Sequence, residues 1–237
     1  MKRLLAALLL IGLAQAADEA RLGFSGPLED GLPAGWKHVP FPSISKTTSY
    51  AVVASGDALV LRANARSSAS IVVRRVTDTG DRLHWRWRVD RTILAGDGAT
   101  KATDDFPARV WVGFEGDWSE EGWTYRRTGD KLKTAYGFTP PTHWIHYVWT
   151  GRGRAKGDAF DEPYDGAHFK CIALRTDKDA LGDWFDEERD PRADFKQLFG
   201  RDPGKIIAIA VMTDGDDTGS EATASYADIG WLTSSAR

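Results

Sequence analysis

Hydrophobic and polar residues alternate along much of the chain with a period of two, as in strands that bury one face. The clearest stretch is Leu83-His84-Trp85-Arg86-Trp87-Arg88-Val89. Leu83, Trp85, Trp87 and Val89 share one face, and His84, Arg86 and Arg88 share the other. Residues 109–114 repeat the pattern, with Val110, Val112 and Phe114 opposite Arg109 and Trp111. Further strands are predicted over 50–53, 58–62, 70–76, 145–149, 170–175, 206–213 and 223–231, bounded by Gly, Pro, Asp or Asn. So many short strands, with no helical segments alternating between them, predict an all-β fold: an antiparallel two-sheet sandwich of jelly-roll type. One short helix is expected at about 190–200. Asp190 suits its N-cap, Pro191 its first position and Gly200 its C-terminal stop. Phe195, Leu198 and Phe199 then form one apolar stripe for docking on a sheet.

The N-terminus follows different rules. Lys2 and Arg3 precede an apolar run over 4–13 that ends in Ala14-Gln15-Ala16, the layout of a signal peptide with a small-residue cleavage site. Residues 1–16 are therefore expected to be removed, leaving 17–237 as a single β-sandwich domain. The run is shorter than the roughly 20 apolar residues that span a bilayer. No later stretch is long or apolar enough to serve as a transmembrane anchor, so the expected location is outside the inner membrane, in a Gram-negative periplasm or secreted. The 237 residues are 42% hydrophobic and 27% charged, enough for a sizeable core and too apolar for disorder. The formal charge of −3 becomes −5 once Lys2 and Arg3 are removed. With no clustered Lys or Arg, nucleic acid is not an expected partner. A single cysteine, Cys171, excludes a disulfide framework and any Cys-rich zinc module.

The side chains opposite the core suggest chemistry. Strand parity leaves His84, Arg86, Arg88, Arg109 and Trp111 on one side, joined by Arg175 and by the small residues Cys171, Ala173, Ala208 and Ala210. Were these strands neighbours, they would form a small-residue floor walled by arginines and a tryptophan. Guanidinium forks bind carboxylate or phosphate, and aromatic faces stack on sugars. The candidate ligand-binding set is Arg86, Arg88, Arg109, Trp111 and Arg175, with Asp104 and Asp105. The competing expectation is an ion-pair network in which Asp104, Asp105, Asp190 and Asp194 neutralise the arginines, or a face covered by the 190–200 helix. The acidic stretch Asp214-Gly215-Asp216-Asp217-Thr218-Gly219 suits a hard cation, so Asp214, Asp216, Asp217 and Asp228 are candidate ligands for structural calcium. A polar hairpin loop explains the same residues. Known catalytic signatures are missing: there is no nucleophile elbow, no H-E-x-x-H, no Walker A and no dinucleotide fingerprint. The five histidines show no metal-ligand spacing, and the acid-rich 183–188 segment reads as a solvated loop.

Taken together, W-R-W-R-V (85–89), D-D-F-P-A-R-V (104–110), Y-V-W (147–149), I-A-L-R (172–175), R-D-x-x-A-D-F (189–195), A-V-M-T-D-x-D-x-T-G (210–219) and Y-A-D-I (226–229) resemble the exported bacterial family known as domain of unknown function 3047. The resemblance spans about 36–231, and the segment 116–133 departs from the pattern through extra Trp and charged residues. It implies a fold and an exported location but no activity. The residues themselves favour a binding module for a saccharide or other anionic cell-envelope ligand. A polysaccharide lyase or hydrolase on the same fold, with His84 or Tyr147 as base, is the alternative. An envelope scaffold without a small ligand is a further one.

Overall fold

The computed structural model describes residues 22–77 and 79–232; the expected signal peptide at 1–16 lies outside them. In chain order the strands are β1 (Leu28–Glu29), β2 (Leu32–Pro33), β3 (Trp36–Pro40), β4 (Ser49–Ser55), β5 (Ala58–Arg66), β6 (Ser70–Arg75), β7 (Arg82–Arg91), β8 (Ala108–Phe114), β9 (His143–Trp149), β10 (Ala159–Asp161), β11 (Phe169–Arg175), β12 (Phe185–Arg189), β13 (Ile206–Met212) and β14 (Glu221–Leu232). Helices α1 (Trp123–Tyr136) and α2 (Pro191–Phe199) complete the set. One sheet has the order β10-β11-β9-β8-β13-β6-β3 and the other β12-β7-β14-β5-β4; β1 and β2 form a small ribbon. This is the expected all-β sandwich, antiparallel except where β11 runs parallel to β9. Each strand predicted from alternation is present.

The inner faces meet in one core. Trp85, Trp87 and Val89 of β7 face Val110, Val112 and Phe114 of β8 and Ile145, Tyr147 and Trp149 of β9. Trp85 lies edge-on to Trp87 at 5.6 Å and tilts against Tyr147 at 5.2 Å, while Trp87 meets Trp149 at 6.1 Å. These offset and edge-to-face arrangements suit the ring quadrupoles. The Tyr226 hydroxyl crosses the sandwich from β14 to donate to the Met212 carbonyl at 2.5 Å.

The seven-stranded sheet is also buried on its outer face, so β8 and β9 lack exposed positions. Val39, Ile71, Trp111, Trp144, Ala208 and Ala210 form a second apolar layer there, covered by Tyr136 and Leu132 of α1 and by Phe41, Ile44 and Phe138. A smaller cluster of Phe106, Val148, Cys171 and Ala173 continues it.

Helix α2 forms as its sequence predicts. The Asp190 carboxylate accepts from the Arg192 and Ala193 N–H groups, and Gly200 closes the helix at φ 69°. Its apolar stripe docks on the sandwich core, with Phe195 4.6 Å from Phe114, so the helix does not cover the arginine-bearing face of β7.

Helix α1 was not predicted. Only Gly129 and Tyr136 are buried on it, so its apolar stripe is too thin to stand out. Strands β1, β2, β3, β10 and β12 likewise carry no alternation that predicts them. The acid-rich Phe185-Asp186-Glu187-Glu188-Arg189 segment pairs with β7 as an edge strand instead of remaining a solvated loop.

Replacing Trp85, which is fully buried, by alanine is expected to cost about 3–5 kcal/mol. Equilibrium denaturation should show a lower midpoint with little change in slope, because the sandwich stays intact around a cavity.

Candidate functional site

The sequence-predicted ligand set divides between two sheets. Arg86 and Arg88 stand on the outer face of the five-stranded sheet, whereas Arg109 and Trp111 stand on the outer face of the seven-stranded sheet. The core lies between them, so they cannot line one groove. Parity correctly gave the side of each strand but not which strands are neighbours.

Arg109 is 2% exposed and held by acids. Its Nε donates to Asp214 Oδ1 at 3.0 Å, its Nη2 to Asp214 Oδ2 and to the Asp104 carbonyl, and its Nη1 to Asp104 Oδ1 at 3.4 Å. Burial by itself would lower the pKa of the guanidinium, but Asp104 and Asp214 outweigh it and hold the pKa above the ordinary value. Burial pushes the Asp104 carboxyl above its ordinary value; Arg109 pulls it the other way, and the adjacent Glu162 raises it again. Asp214 is likewise pushed up by burial against the pull of Arg109. This is the ion-pair network rather than an open anion site. Trp111 is buried too, stacked on His146 at 3.9 Å.

Asp105 binds the 214–219 turn. It accepts from the N–H groups of Asp217 (3.3 Å) and Thr218 (2.6 Å) and from the Thr218 hydroxyl (2.5 Å). Gly96 packs against the Asp105 carbonyl with no room for a Cβ. The four candidate calcium ligands do not converge. Asp214 is committed to Arg109, and Asp228 sits at a bulge of β14 on the far sheet, 2.6 Å from Arg86. Asp216 and Asp217 cluster instead with Asp105, while Tyr164 donates to Asp217 at 2.5 Å.

Arg175 is also committed. Its Nε donates to Glu187 of β12 at 2.6 Å and its Nη1 reaches Asp179 at 3.4 Å, bridging the edges of the two sheets. Tyr147 is fully buried and donates to Asp194 at 2.6 Å. Burial and Asp194 raise its pKa well above the ordinary tyrosine value, which removes it as a base.

A trough with the expected character lies on the outer face of the five-stranded sheet. Its floor is β14, where Thr223, Ser225 and Ala227 face outward. Arg86 and Arg88 of β7 stand opposite Ala227 and Ser225 on one side. Arg62 and Asn64 of β5 stand opposite Ser225 and Thr223 on the other. Asp90 bridges the walls, 3.1 Å from Arg62 and 3.0 Å from Arg88. The Trp184 ring lies over both Arg86 and Arg88, 5.2 and 5.3 Å from their guanidinium carbons. Beneath this bridge the Ser225 hydroxyl is buried without a hydrogen-bond partner, a costly arrangement for a polar group. Towards β4 the trough opens into a groove of about 630 Å³ lined by Lys46, Ser49, Asn64 and Arg66. Sequence reasoning found Arg86 and Arg88 here. It missed Arg62 and Trp184, whose relation to them is set by strand order.

A family model described as protein of unknown function (DUF3047) matches residues 34–230. No curated protein matches the chain. Among solved structures, the K2 cleaved adhesin domain of Lys-gingipain aligns at 10% identity and TM-score 0.42, over 90% of this chain and 98% of that one. A β-1,2-glucanase from Parabacteroides distasonis aligns at 12% and 0.38 over 84% and 23%, respectively. The family 11 xylanase from Neocallimastix patriciarum aligns at 8% and 0.35 over 88% and 95%. Likenesses this distant carry no information about the site.

Two outcomes follow from the buried network. Arg109→Ala leaves Asp104 and Asp214 unpaired in the interior and is expected to destabilise the fold by about 3–5 kcal/mol in chemical denaturation. Burial holds the Asp104 pKa in the folded chain above the ordinary carboxylate value that applies when unfolded, against the pull of Arg109. The contribution of its proton to stability is therefore present in acid and is lost as pH rises from the ordinary value through the raised one. Asp104→Asn should flatten the fall of melting temperature with pH across that window; an unchanged profile would show that this proton plays no part.

Proposed function

The chain belongs to the DUF3047 family, whose function is unknown, and we propose that it is an exported binding module that takes an acidic glycan in the trough of the five-stranded sheet. The trough itself carries this reading: two arginine-bearing strands flank a strand of small residues. A ligand carboxylate replaces Asp90 between Arg62 and Arg88, giving both guanidinium groups a charge-assisted partner. Opening that bridge also brings the Ser225 hydroxyl within reach of sugar hydroxyls or water. Trp184 offers an aromatic face to a sugar ring, and the polar groove beyond Asn64 accommodates the continuing chain. No helix among the described residues is long and apolar enough to cross a membrane, and the export address at 1–16 completes the proposal.

Affinity electrophoresis in gels containing alginate or polygalacturonate, with a neutral glucan as control, tests this reading. Retention is expected on the acidic polymers alone and should weaken as salt rises. The Arg62→Ala/Arg88→Ala double variant should lose at least tenfold in affinity while keeping its melting temperature within a few degrees. Equal retention of the variant, or no retention by the parent chain, would overturn the assignment. New unsaturated or reducing ends in the polymer would replace it with an enzymatic one.

A further inference from the structure

A group of metal-ligating side chains lies apart from the trough and the acidic turn. His143 opens β9, and His168 immediately precedes β11, the parallel neighbour of β9. The Trp144 N–H donates to the His168 carbonyl at 2.8 Å, which brings the two imidazoles to 5.2 Å between centroids. Glu121 comes from a third segment, just ahead of α1, and its Oε2 lies 2.8 Å from His168 Nε2. One donor atom from each of Glu121, His143 and His168 lies within 4.8 Å of the other two. Two imidazoles and a carboxylate suit a borderline cation such as Zn²⁺, whereas Ca²⁺ takes oxygen ligands.

The surroundings aim these donors. Asp165 lies 2.8 Å from His168 Nδ1, the carboxylate-behind-imidazole arrangement that orients a metal-binding histidine. With that nitrogen donating to Asp165, Nε2 faces Glu121. Tyr125 stacks on the same ring at 3.7 Å and is fixed by its own hydroxyl, which donates to the Thr142 carbonyl at 2.8 Å. The Thr142 hydroxyl in turn lies 2.9 Å from His143 Nδ1. Arg201 Nη2 lies against the His143 ring, 2.8 Å from Nε2 and 3.3 Å from Nδ1. Arg201 is exposed on the loop after α2, free to swing out without disturbing the core.

A plain ion-pair network of His168 between Glu121 and Asp165 accounts for the His168 contacts. It gives no reason for a second imidazole, from a different strand, to stand within ligand distance of Glu121 and His168 against a displaceable guanidinium. We infer that Glu121, His143 and His168 bind one Zn²⁺-type divalent ion, with Asp165 positioning His168. Arg201 leaves His143 Nε2 as the ion arrives. Three protein ligands leave the fourth tetrahedral position to water or a ligand.

Zn²⁺ titrated calorimetrically into the chelator-treated full chain, with Co²⁺ as an absorption probe, provides the test. One ion per chain is expected, with Co²⁺ bands of tetrahedral intensity. The His143→Ala/His168→Ala double variant should lose at least tenfold in affinity. Asp165→Asn should weaken binding by about 10–100-fold, and Arg201→Ala should tighten it. The last two alter an exposed side chain and a half-buried one outside the core, so they decide the question even if the histidine variant fails to fold. Absence of saturable binding, binding that survives loss of both histidines, or binding lost in Asp216→Asn would overturn the assignment.

Discussion

A guanidinium taken out of water has to be neutralised where it lies, and the burial of Arg109 imposes that condition on much of this molecule. Its strand, β8, is central in a sheet covered on both faces, so no rotamer returns the charge to solvent. Asp214 from the β13–β14 connection and Asp104 from the β7–β8 connection are drawn in to meet it. Once they are placed, Asp105 lies against the 214–219 turn and binds its N–H groups. Two long connections are thereby pinned to each other and to β8. A buried ion pair of this kind is weak evidence for net stability, but its geometry determines where these loops lie.

The two outer faces follow opposite logics. On the seven-stranded sheet, helix α1 and the 92–107 connection cover the face, and the charges there are matched internally. On the five-stranded sheet the outer face carries Arg62, Arg86 and Arg88 at partial exposure, over a strand of small residues. Asp90 there serves two guanidinium groups at once. The Ser225 hydroxyl, buried without a partner beneath that bridge, lies at the same place. The functional candidates thus separate by solvent access rather than by residue type.

The histidine cluster has a third character. It sits at one end of the parallel β9–β11 pair, where two strand ends and the start of α1 converge, and its aromatic packing holds the rings in fixed orientations. Of the five histidines, His143 and His168 are 25 positions apart in sequence, far from any local metal-ligand spacing. Only the parallel register brings them together. Glu121 belongs to the segment with extra tryptophan and charge, so the motifs shared across the rest of the chain gave no lead to it.

What the amino-acid order determined by itself was local. Period-two alternation assigned nearly every long strand and the correct inward face on β7, β8, β11 and most of β13, because the pleat sends successive side chains to opposite sides whatever the neighbours are. Capping chemistry placed α2, since Asp190, Pro191 and Gly200 act within one or two turns of the backbone. The edge strand β12 escaped because an exposed acidic face and an edge position leave little hydrophobic signal, and α1 because its buried stripe is so thin. Strand order was decided only in three dimensions. It put Arg86 and Arg109 on opposite sides of the core, and Asp214 and Asp228 on different sheets. The same order set Arg62 beside Arg88 and His143 beside His168. Side-chain direction is a property of one strand, whereas neighbourhood is a property of how all of them pair, and that pairing is settled by packing contacts between residues far apart in the chain.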